Sequence, residues 1–483
     1  NNQGLIRCFS FFIKGHFDEE VFYLKNCVVI LAAGDGKRMK SEKPKVLCEV
    51  LFQPMLRWVI NACEKSEAGD ICIVKGKGAE QIDAFLEGKY QTVMQQERLG
   101  TGHAVMQAVD FIKEHVGGHL LVLCGDAPFV DEMTIREAYQ QHIAQKNSAT
   151  VITAELDEPK GYGRMLRADD SIIGIVEEKD ATDREKMIKE VNSGAYWFCI
   201  EDMLAVADRL TNDNNQKEYY LTQFVPLLIA AGKRVGGFRA ATDHIVLGAN
   251  DRAGLLNLNR IAAEKIIQKH MANGVSFLST DGVLIMPEVT IGQDTVILPG
   301  TILKGNTKIG NGSVIGPNSL VEDSVIGNDT VFNASQCYQS KIHDHVKIGP
   351  FCHIRPNSEI LDHVKIGDFV EVKNSTIGEY TAVSHLTYVG DSDVGKNVNF
   401  GCGVVTVNYD GVNKHRSVIE DNAFIGCNTN LVSPVRIGNG AYTAAGSTIT
   451  EDVPADALGI ARARQTNKEG FAAKKLEGRK RKL

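Results

Sequence analysis

Residues 285–316 read IMPEVTIGQDTVILPGTILKGNTKIGNGSVIG, and an aliphatic residue returns at every sixth position. The same spacing holds in two later frames, which begin at Ile348 and Ile419. The members of the three frames are Ile285, Ile291, Ile297, Leu303, Ile309 and Ile315, then Ile348, Ile354, Ile360, Ile366 and Val372, then Ile419, Ile425, Leu431, Ile437, Thr443 and Ile449. This repeat decides the architecture of the second half of the chain.

A period of six fits neither a helix, which repeats at about 3.6 residues, nor a strand, which repeats at about 2. We therefore expect a solenoid with short flat sides, in which each aliphatic residue points inward and stacks on its counterpart in the next turn. The stretch resembles the hexapeptide-repeat, left-handed parallel β-helix family, which is rich in acyltransferases. The handedness comes from the resemblance, because crossovers in ordinary parallel sheets are right-handed.

The composition sets limits on the class of protein. A chain of 483 residues accommodates two or three domains, and 43% hydrophobic with 23% charged residues is typical of a soluble globular protein. The net charge of −7 gives no electrostatic reason to expect nucleic acid. The 11 cysteines are scattered without metal-ligand spacing, and no apolar run reaches the roughly 20 residues of a membrane span. We expect a cytoplasmic protein that binds neither nucleic acid nor a membrane.

The order of predicted elements divides the chain into four parts. Residues 1–26 form an N-terminal extension of unknown role. Strands then alternate with helices over residues 27–249, which predicts an α/β, Rossmann-like sheet with ligands at the carboxyl ends of its strands. Residues 250–278 are predicted to be a helical linker, and residues 279–483 the repeat domain with a C-terminal tail.

A glycine-rich, basic loop follows the first predicted strand at residues 33–38. Its glycines let backbone N–H groups approach phosphates, and Arg38 would neutralise their charge. The spacing departs from known dinucleotide and P-loop patterns, so a plain strand-to-helix turn stays an alternative. Asp126 ends a buried strand and Asn250 begins a helix, where each is either a metal ligand or a helix cap.

Further motifs accompany this loop. They are residues 31–39, Pro44-Lys45-Val46-Leu47, Gln95 with Leu99-Gly100-Thr101-Gly102-His103-Ala104, Gly125-Asp126, Gly161-Tyr162-Gly163-Arg164, residues 177–182, and Val191-Asn192-Ser193-Gly194. Together they resemble the sugar-1-phosphate nucleotidyltransferase family. With the repeats, the chain from about residue 27 resembles the bifunctional N-acetylglucosamine-1-phosphate uridyltransferase/glucosamine-1-phosphate acetyltransferase family.

The resemblance implies that the first domain transfers UMP from UTP to N-acetylglucosamine 1-phosphate, giving UDP-N-acetylglucosamine and pyrophosphate. It implies Mg²⁺ held by Asp126 and Asn250, with Arg38 and Lys45 as catalytic groups at the triphosphate. The implied nucleotide and sugar contacts are Leu31, Ala32, Ala33, Gly34, Lys45, Gln95, Gly100, Thr101, Cys124, Gly125, Gly163, Glu177, Asn192 and Asn250. Of these, Gln95, Gly100 and Thr101 are implied to read the uracil, and Gly163, Glu177 and Asn192 to hold the sugar. The attacking phosphate oxygen is already ionised, so the reaction needs alignment and charge screening rather than a general base.

The second predicted site surrounds His385, next to residues 407–418, which break the repeat and indicate a loop. Acetyl transfer to an amine needs a base that works near neutral pH, and histidine has an ordinary pKa of about 6.5. Without the resemblance, a surface histidine and a solvated basic face are the alternatives. The resemblance implies that His385 is the base, that glucosamine 1-phosphate contacts Arg355, Lys373, Tyr388 and Asn399, and that acetyl-CoA, the acetyl donor, contacts Cys402, Asn408, Tyr409, Cys427, Ala445 and Arg462.

Four positions depart from the pattern of the family. Lys37 stands where a small hydroxyl residue is common, and Cys124 where tyrosine often precedes Gly-Asp. Cys402 and Cys427 stand where alanine and serine are more usual, which raises the hypothesis of thiols near the pantetheine of acetyl-CoA.

Two other interpretations stay open. The chain could be a related nucleotidyltransferase with a β-helix tail that uses another nucleotide or sugar, such as a glucose-1-phosphate adenylyltransferase, and its tail would not need His385. It could also be a non-catalytic regulator, which predicts loss of Lys45, Asp126 or His385, yet all three are present. The leading resemblance further implies a homotrimer with acetyltransferase sites between neighbouring β-helices, and a product that feeds bacterial cell-envelope synthesis.

Overall fold

The structure, a computed structural model, describes residues 25–169 and 171–480. Residues 1–24 of the predicted N-terminal extension, which covers residues 1–26, therefore lie outside the described residues. The chain divides into two compact units after Ile261, within the helix Arg252–Ala272. The four sequence-based domain bounds stay predictions.

The first unit contains a mixed sheet of nine strands and a separate two-stranded hairpin. Its strands are β1 (Cys27–Ala32), β2 (Glu49–Val50), β3 (Gln53–Pro54), β4 (Asp70–Lys75), β5 (Gln91–Met94), β6 (His119–Cys124), β7 (Ala149–Glu155), β8 (Arg164–Ala168), β9 (Ser171–Val176), β10 (Glu190–Cys199) and β11 (Val235–Arg239). The sheet runs in the order β11-β7-β10-β6-β1-β4-β5, with β8 and β9 attached beside β10, and β2 pairs with β3.

Helices flank this sheet and complete the predicted α/β unit. They are α1 (Met55–Ser66), α2 (Ala79–Leu86), α3 (Thr101–Gln107), α4 (Val109–Glu114), α5 (Glu132–Ala144), α6 (Ile200–Leu204) and α7 (Phe224–Ala230), with short 3-10 turns at Lys37–Met39, Lys45–Leu47, Glu185–Met187, Ala207–Arg209, Leu221–Gln223 and Asp243–Val246. Helix α8 (Arg252–Ala272) follows these elements and contains the boundary between the two units. The sequence predicts one helix over 101–112, but Ala108 leaves the helical region (φ −94°, ψ 15°) and separates α3 from α4.

Strand β1 lies at the centre of the sheet. Its first four residues are completely buried, as a continuous aliphatic run in a parallel sheet predicts. It pairs in parallel with β4 on one side and with β6 on the other. The carboxyl ends of these three strands therefore meet at one edge, where the predicted nucleotide loop begins.

The second unit is a solenoid with three parallel faces, as the hexads predict. The first face contains Ser276–Phe277, Val296–Ile297, Val314–Ile315, Val331–Phe332, Lys347–Ile348, Lys365–Asp368, Ala382–His385, Asn399–Phe400, Phe424–Ile425, Tyr442–Thr443 and Leu458–Gly459. The second face contains Leu284–Ile285, Ile302–Lys304, Leu320–Glu322, Gln336–Tyr338, His353–Ile354, Glu371–Lys373, Tyr388–Gly390, Val405–Val407, Asn430–Val432 and Thr448–Ile449. The third face contains Thr290–Ile291, Lys308–Ile309, Val325–Ile326, Lys341–Ile342, Glu359–Ile360, Thr376–Ile377, Ser392–Val394, Ser417–Ile419 and Arg436–Ile437.

The predicted aliphatic positions form the core of the solenoid. Ile285 pairs with Leu303, and Ile354 with Val372, so each turn places an aliphatic side chain over the one before it. These side chains are at most 5% exposed, whereas Ile291, near the open end of the solenoid, is half-buried. Hydroxyls at the corners join the turns, as where Thr295 Oγ1 donates to Gly310 O (2.7 Å).

Two features interrupt the regular turns. Val394 pairs with Ile419 across the predicted loop at 407–418, so this turn is longer than the others. Helix α9 (Phe471–Lys480) follows the last strand. Across the described ranges, 25–169 and 171–480, no helix combines the length and apolarity that a membrane span requires.

Candidate functional site

Three polar side chains meet at the carboxyl edge of the central strands in the first unit. The ammonium of Lys45 forms an ion pair with Asp126 and donates a hydrogen bond to Asn250 Oδ1 (2.8 Å). Lys45 begins a 3-10 turn, Asp126 follows β6 and Asn250 precedes α8, so residues 205 positions apart are brought together. The structure thus places the predicted metal ligands around one cation.

Glycine fixes the position of Lys45. Gly36 has a left-handed φ of +56°, and a β-carbon added there would lie 2.9 Å from Lys45 Cβ. Gly125 donates its N–H to Leu31 O (2.9 Å), and a β-carbon there would lie 3.3 Å from Val46 Cγ1. The predicted loop residues Ala32, Ala33 and Gly34 continue from β1 at this edge, and a β-carbon on Gly34 would meet no atom within 4 Å. This open side of the loop is available to a phosphate.

The oxygen donors at this edge fit Mg²⁺. Asp126 and Asn250 supply a carboxylate and an amide oxygen, the hard ligands that Mg²⁺ prefers, and they already converge on one cation. Within the described part of the chain, no group of three or more His, Cys, Asp or Glu forms a metal cage. A site of this kind suits a metal that shares its coordination with substrate phosphates.

A second loop borders the same edge. Gln95 is buried, and its Nε2 donates to Gly100 O (3.1 Å). Gly100 has φ +107°, and a β-carbon there would lie 2.5 Å from Tyr219 O. Thr101 Oγ1 accepts a hydrogen bond from Leu221 N (3.0 Å). Gly100 and Thr101 therefore lie against residues 219–221, which no motif in the sequence marks as part of the site.

The predicted sugar contacts lie at or in neighbouring strands: Gly163 precedes β8, Glu177 follows β9 and Asn192 lies in β10. Asn192 N donates to Gly163 O (2.9 Å), and a β-carbon on Gly163 would lie 3.4 Å from Glu177 Oε2. Burial raises the pKa of Glu177, although a hydrogen bond from Thr222 Oγ1 (3.3 Å) opposes that shift. A cleft of about 300 Å³ lies beside Glu177 and Thr222. Burial also raises the pKa of Cys124 to about 12, so this thiol stays protonated at neutral pH.

An ion pair that sequence reasoning missed joins the two loops of the first unit. Arg98, in the loop before Gly100, pairs with Asp35, in the glycine-rich loop, and Lys37 approaches Asp35 at 3.4 Å. Both loops contain an acidic residue close to a basic one in the sequence, but only the structure identifies which carboxylate each cation contacts.

His385 ends a strand on the first face of the second unit and has a carboxylate partner. Its Nδ1 lies 2.7 Å from Asp368 Oδ1, and the two residues are in register on consecutive turns. A carboxylate only accepts, so Nδ1 carries a proton, and in the neutral imidazole the lone pair is then on Nε2. The hydrogen bond from His385 lowers the pKa of Asp368, which therefore stays ionised at neutral pH.

Three cations gather on the second face. Arg355 Nη1 donates to Glu371 Oε1 (2.7 Å). Hydrogen bonding and charge from Lys414, together with burial and the charge of Arg355, lower the pKa of Lys373. Lys414 belongs to the loop that breaks the repeat and was not selected from the sequence. The cluster of Arg355, Lys373 and Lys414 is suited to a doubly charged phosphate.

A buried carboxylate lies near Lys373 and joins two asparagine side chains. Asp391 is 5% exposed and accepts hydrogen bonds from Asn374 and Asn408. Asn408 Nδ2 also lies 3.4 Å from Tyr388 Oη. A β-carbon on Gly390 would lie 2.3 Å from that Oη, so Gly390 makes room for the ring of Tyr388.

The predicted acetyl-CoA residues Cys402, Cys427 and Ala445 form a column at one corner of the solenoid. Asn428 N donates to Cys402 O and Gly446 N donates to Cys427 O, both at 2.8 Å, which places the three turns one above another. Tyr409 lies in the 407–418 loop, where its Oη donates to Gly411 O (2.6 Å).

Arg38, Asn399 and Arg462 are among the predicted site residues that are exposed. Among the described residues, no hydrogen bond or ion pair joins their side chains to the other predicted site residues. Their roles stay predictions.

Comparisons with known proteins agree with this organisation. The family model described as nucleotidyl transferase matches residues 27–243. The model described as bacterial transferase hexapeptide (six repeats) matches residues 288–323, 339–374 and 416–451. Curated relatives called "Bifunctional protein GlmU" include that of Caldanaerobacter subterraneus subsp. tengcongensis, 49% identical over 93% of this chain and 98% of that protein. The relative from Geobacillus sp. is 48% identical over 93% of this chain and 98% of that protein. The relative from Alkaliphilus metalliredigens is 45% identical over 95% of this chain and 100% of that protein.

Proposed function

Since the chain belongs to the family of bifunctional GlmU proteins, we propose that it makes UDP-N-acetylglucosamine at two separate sites. The second unit acetylates glucosamine 1-phosphate with acetyl-CoA. The first unit transfers UMP from UTP to the resulting N-acetylglucosamine 1-phosphate and releases pyrophosphate. The hydrogen bond between His385 and Asp368 carries this assignment, because a nucleotidyltransferase with a purely structural tail needs no base there.

In acetyl transfer, His385 Nε2 takes a proton from the sugar amine while the amine nitrogen attacks the thioester carbonyl carbon. The carbon–sulfur bond breaks and CoA leaves as the thiolate. Asp368 accepts the hydrogen bond from Nδ1 and stabilises the imidazolium that forms. Arg355, Lys373 and Lys414 hold the phosphate, and Tyr388 and Asn399 hold the sugar. Acetyl-CoA lies along Cys402, Cys427 and Ala445, with Asn408, Tyr409 and Arg462 as further contacts.

In uridylyl transfer, a phosphate oxygen of the acetylated sugar attacks the α-phosphorus of UTP, and pyrophosphate leaves. Arg38 and Lys45 neutralise the triphosphate, while Gln95, Gly100 and Thr101 read the uracil. Gly163, Glu177 and Asn192 position the sugar, which aligns its phosphate for attack. Asp126 and Asn250 would hold Mg²⁺, which when bound supplies charge neutralisation to the phosphates.

The proposed assembly is a homotrimer with acetyltransferase sites between neighbouring solenoids. Apolar side chains line one corner beside His385: Phe351, Phe369 and Leu386 are 56–61% exposed, and the two phenyl rings stack at 5.5 Å. Exposed apolar ladders of this kind mark interaction surfaces. Sedimentation of the whole protein tests the assembly, and a monomer at assay concentration would contradict it.

The proposed location is the cytoplasm. The ten described cysteines are all unpaired, which fits a reducing compartment. Fractionation of cells that make the tagged chain would test this, and recovery outside the cytoplasm would contradict it.

Two assays on the same protein test the division of labour. The first follows CoA thiol release from acetyl-CoA with glucosamine 1-phosphate, and the second follows pyrophosphate release from UTP with N-acetylglucosamine 1-phosphate. His385→Ala should abolish only the first activity, and Asp126→Ala only the second. Loss of both activities in either well-folded variant would contradict two independent sites. Pyrophosphate release from ATP in preference to UTP would favour an adenylyltransferase.

A further inference from the structure

Two cysteines occupy the same place on consecutive turns of the solenoid. Phe400 pairs with Ile425, which brings Cys402 and Cys427, each two residues further on, into the same register. The hydrogen bond from Asn428 N to Cys402 O (2.8 Å) continues that pairing through the turn. The loop at 407–418 lies between the two cysteines in the sequence. Their separation along the chain therefore does not indicate that they are close in space.

The thiol of Cys427 lies close to Gly401, the residue before Cys402. A β-carbon added to Gly401 would lie 2.9 Å from Cys427 Sγ and 2.8 Å from Cys427 Cα. Paired parallel strands are about 4.8 Å apart. A disulfide requires Cα atoms roughly 4.4–6.8 Å apart, so the backbone spacing admits a bond.

Accessibility distinguishes this pair from most other thiols of the chain. Cys427 is exposed and Cys402 is partly exposed. Cys27, Cys63 and Cys337 are buried, and burial raises the pKa of each of these thiols. An oxidant in solution therefore reaches the pair at the solenoid corner while the core thiols stay protonated and covered.

We propose that Cys402 and Cys427 form a reversible disulfide that switches off acetyl transfer. With hydrogen peroxide as oxidant, the two thiols lose two protons and two electrons, the S–S bond forms, the O–O bond breaks and two water molecules are released. A dithiol reductant restores both thiols by exchange. The effect on activity rests on the proposed acetyl-CoA site, because the bond would bridge two members of the column that is expected to contact the cofactor.

The experiment treats the whole protein with hydrogen peroxide, then measures the intact mass, maps disulfides by peptide mass spectrometry and assays both activities. We expect a Cys402–Cys427 bond, a loss of acetyl transfer in proportion to the bonded fraction, and recovery with a dithiol. Uridylyl transfer in the same molecule should not change, and it is the internal control.

Variants identify the thiols responsible. In Cys402→Ala and Cys427→Ser, acetyl transfer should become insensitive to peroxide relative to the same variant before treatment. Cys199→Ala removes a partly exposed thiol of the first unit and should keep the sensitivity. Absence of the Cys402–Cys427 bond after full peroxide treatment would overturn the inference. Formation of the bond with acetyl transfer unchanged would also overturn it. That result would show that Cys402 and Cys427 do not belong to the acetyl-CoA site.

Discussion

Replacing Asp368 by asparagine removes the charge beside the proposed base while keeping the shape of the side chain. Asp368 Oδ1 lies 2.7 Å from His385 Nδ1. An amide oxygen can still accept that hydrogen, so the imidazole keeps its orientation. The imidazolium that forms during acetyl transfer loses its anionic partner, so the barrier to reaction rises.

The size of this effect follows from the hydrogen bond. A hydrogen bond with a charged partner is roughly twice as strong as one between neutral groups, so the substitution weakens the stabilisation of the imidazolium. That difference lowers kcat for acetyl transfer about 5- to 30-fold. His385 and Asp368 are 59% and 41% exposed, so solvent screening places the expected loss toward the lower value.

The assay is CoA thiol release at saturating glucosamine 1-phosphate and acetyl-CoA, with pyrophosphate release from UTP measured on the same preparation. Glu379→Gln is the matched control, because it removes an exposed carboxylate of the same unit without touching His385. An unchanged kcat in Asp368→Asn would refute the reasoning. An equal loss in Glu379→Gln would also refute it, since general charge would then explain the effect.

Three further predictions concern other parts of the chain. Lys414→Ala should raise KM for glucosamine 1-phosphate about tenfold, because a charged contact with the phosphate is lost. Lys414→Arg should recover part of the affinity, and an unchanged KM in Lys414→Ala would contradict the cation cluster. Arg98→Gln should raise KM for UTP about twofold to fivefold, because the charge of Asp35 is then less neutralised. Adding Asp35→Asn should restore KM, and a KM that stays raised in the double variant would contradict the pairing. Burial lowers the pKa of His142 to about 3, whereas the unfolded chain has the ordinary value of about 6.5. The free energy of unfolding should therefore decrease as the pH falls below 6.5, by about 2 kcal/mol at pH 5. Urea unfolding followed by tryptophan fluorescence, which reports the first unit alone, should show a smaller loss in His142→Gln, and an equal loss would contradict the assignment.

The architecture of the second unit could be predicted because its signal is local. Aliphatic residues six apart, such as Ile354 and Ile360, each lie completely buried in the solenoid. The central strand Cys27–Ala32 was predictable for a similar reason, since an uninterrupted aliphatic run is compatible with burial on both faces.

The partners of the site residues could not be predicted because they depend on register between turns. Asp368 lies 17 positions before His385, whereas Asn408 lies 20 after Tyr388 and Cys427 follows Cys402 across a long loop. One sequence does not reveal how many residues each turn contains. Lys414 was missed for the same reason, because an extended loop gives no periodic signal that would place its side chain beside Lys373.

The loop at 407–418 leaves the core beneath it undisturbed. Val394 and Ile419 remain paired and buried although this turn is longer than its neighbours. A single residue deleted within a flat side would instead turn the following aliphatic side chain toward solvent. Insertions are therefore tolerated at the corners and excluded from the sides. A solenoid of this kind can acquire new binding chemistry by lengthening a corner, without any compensating change in its interior.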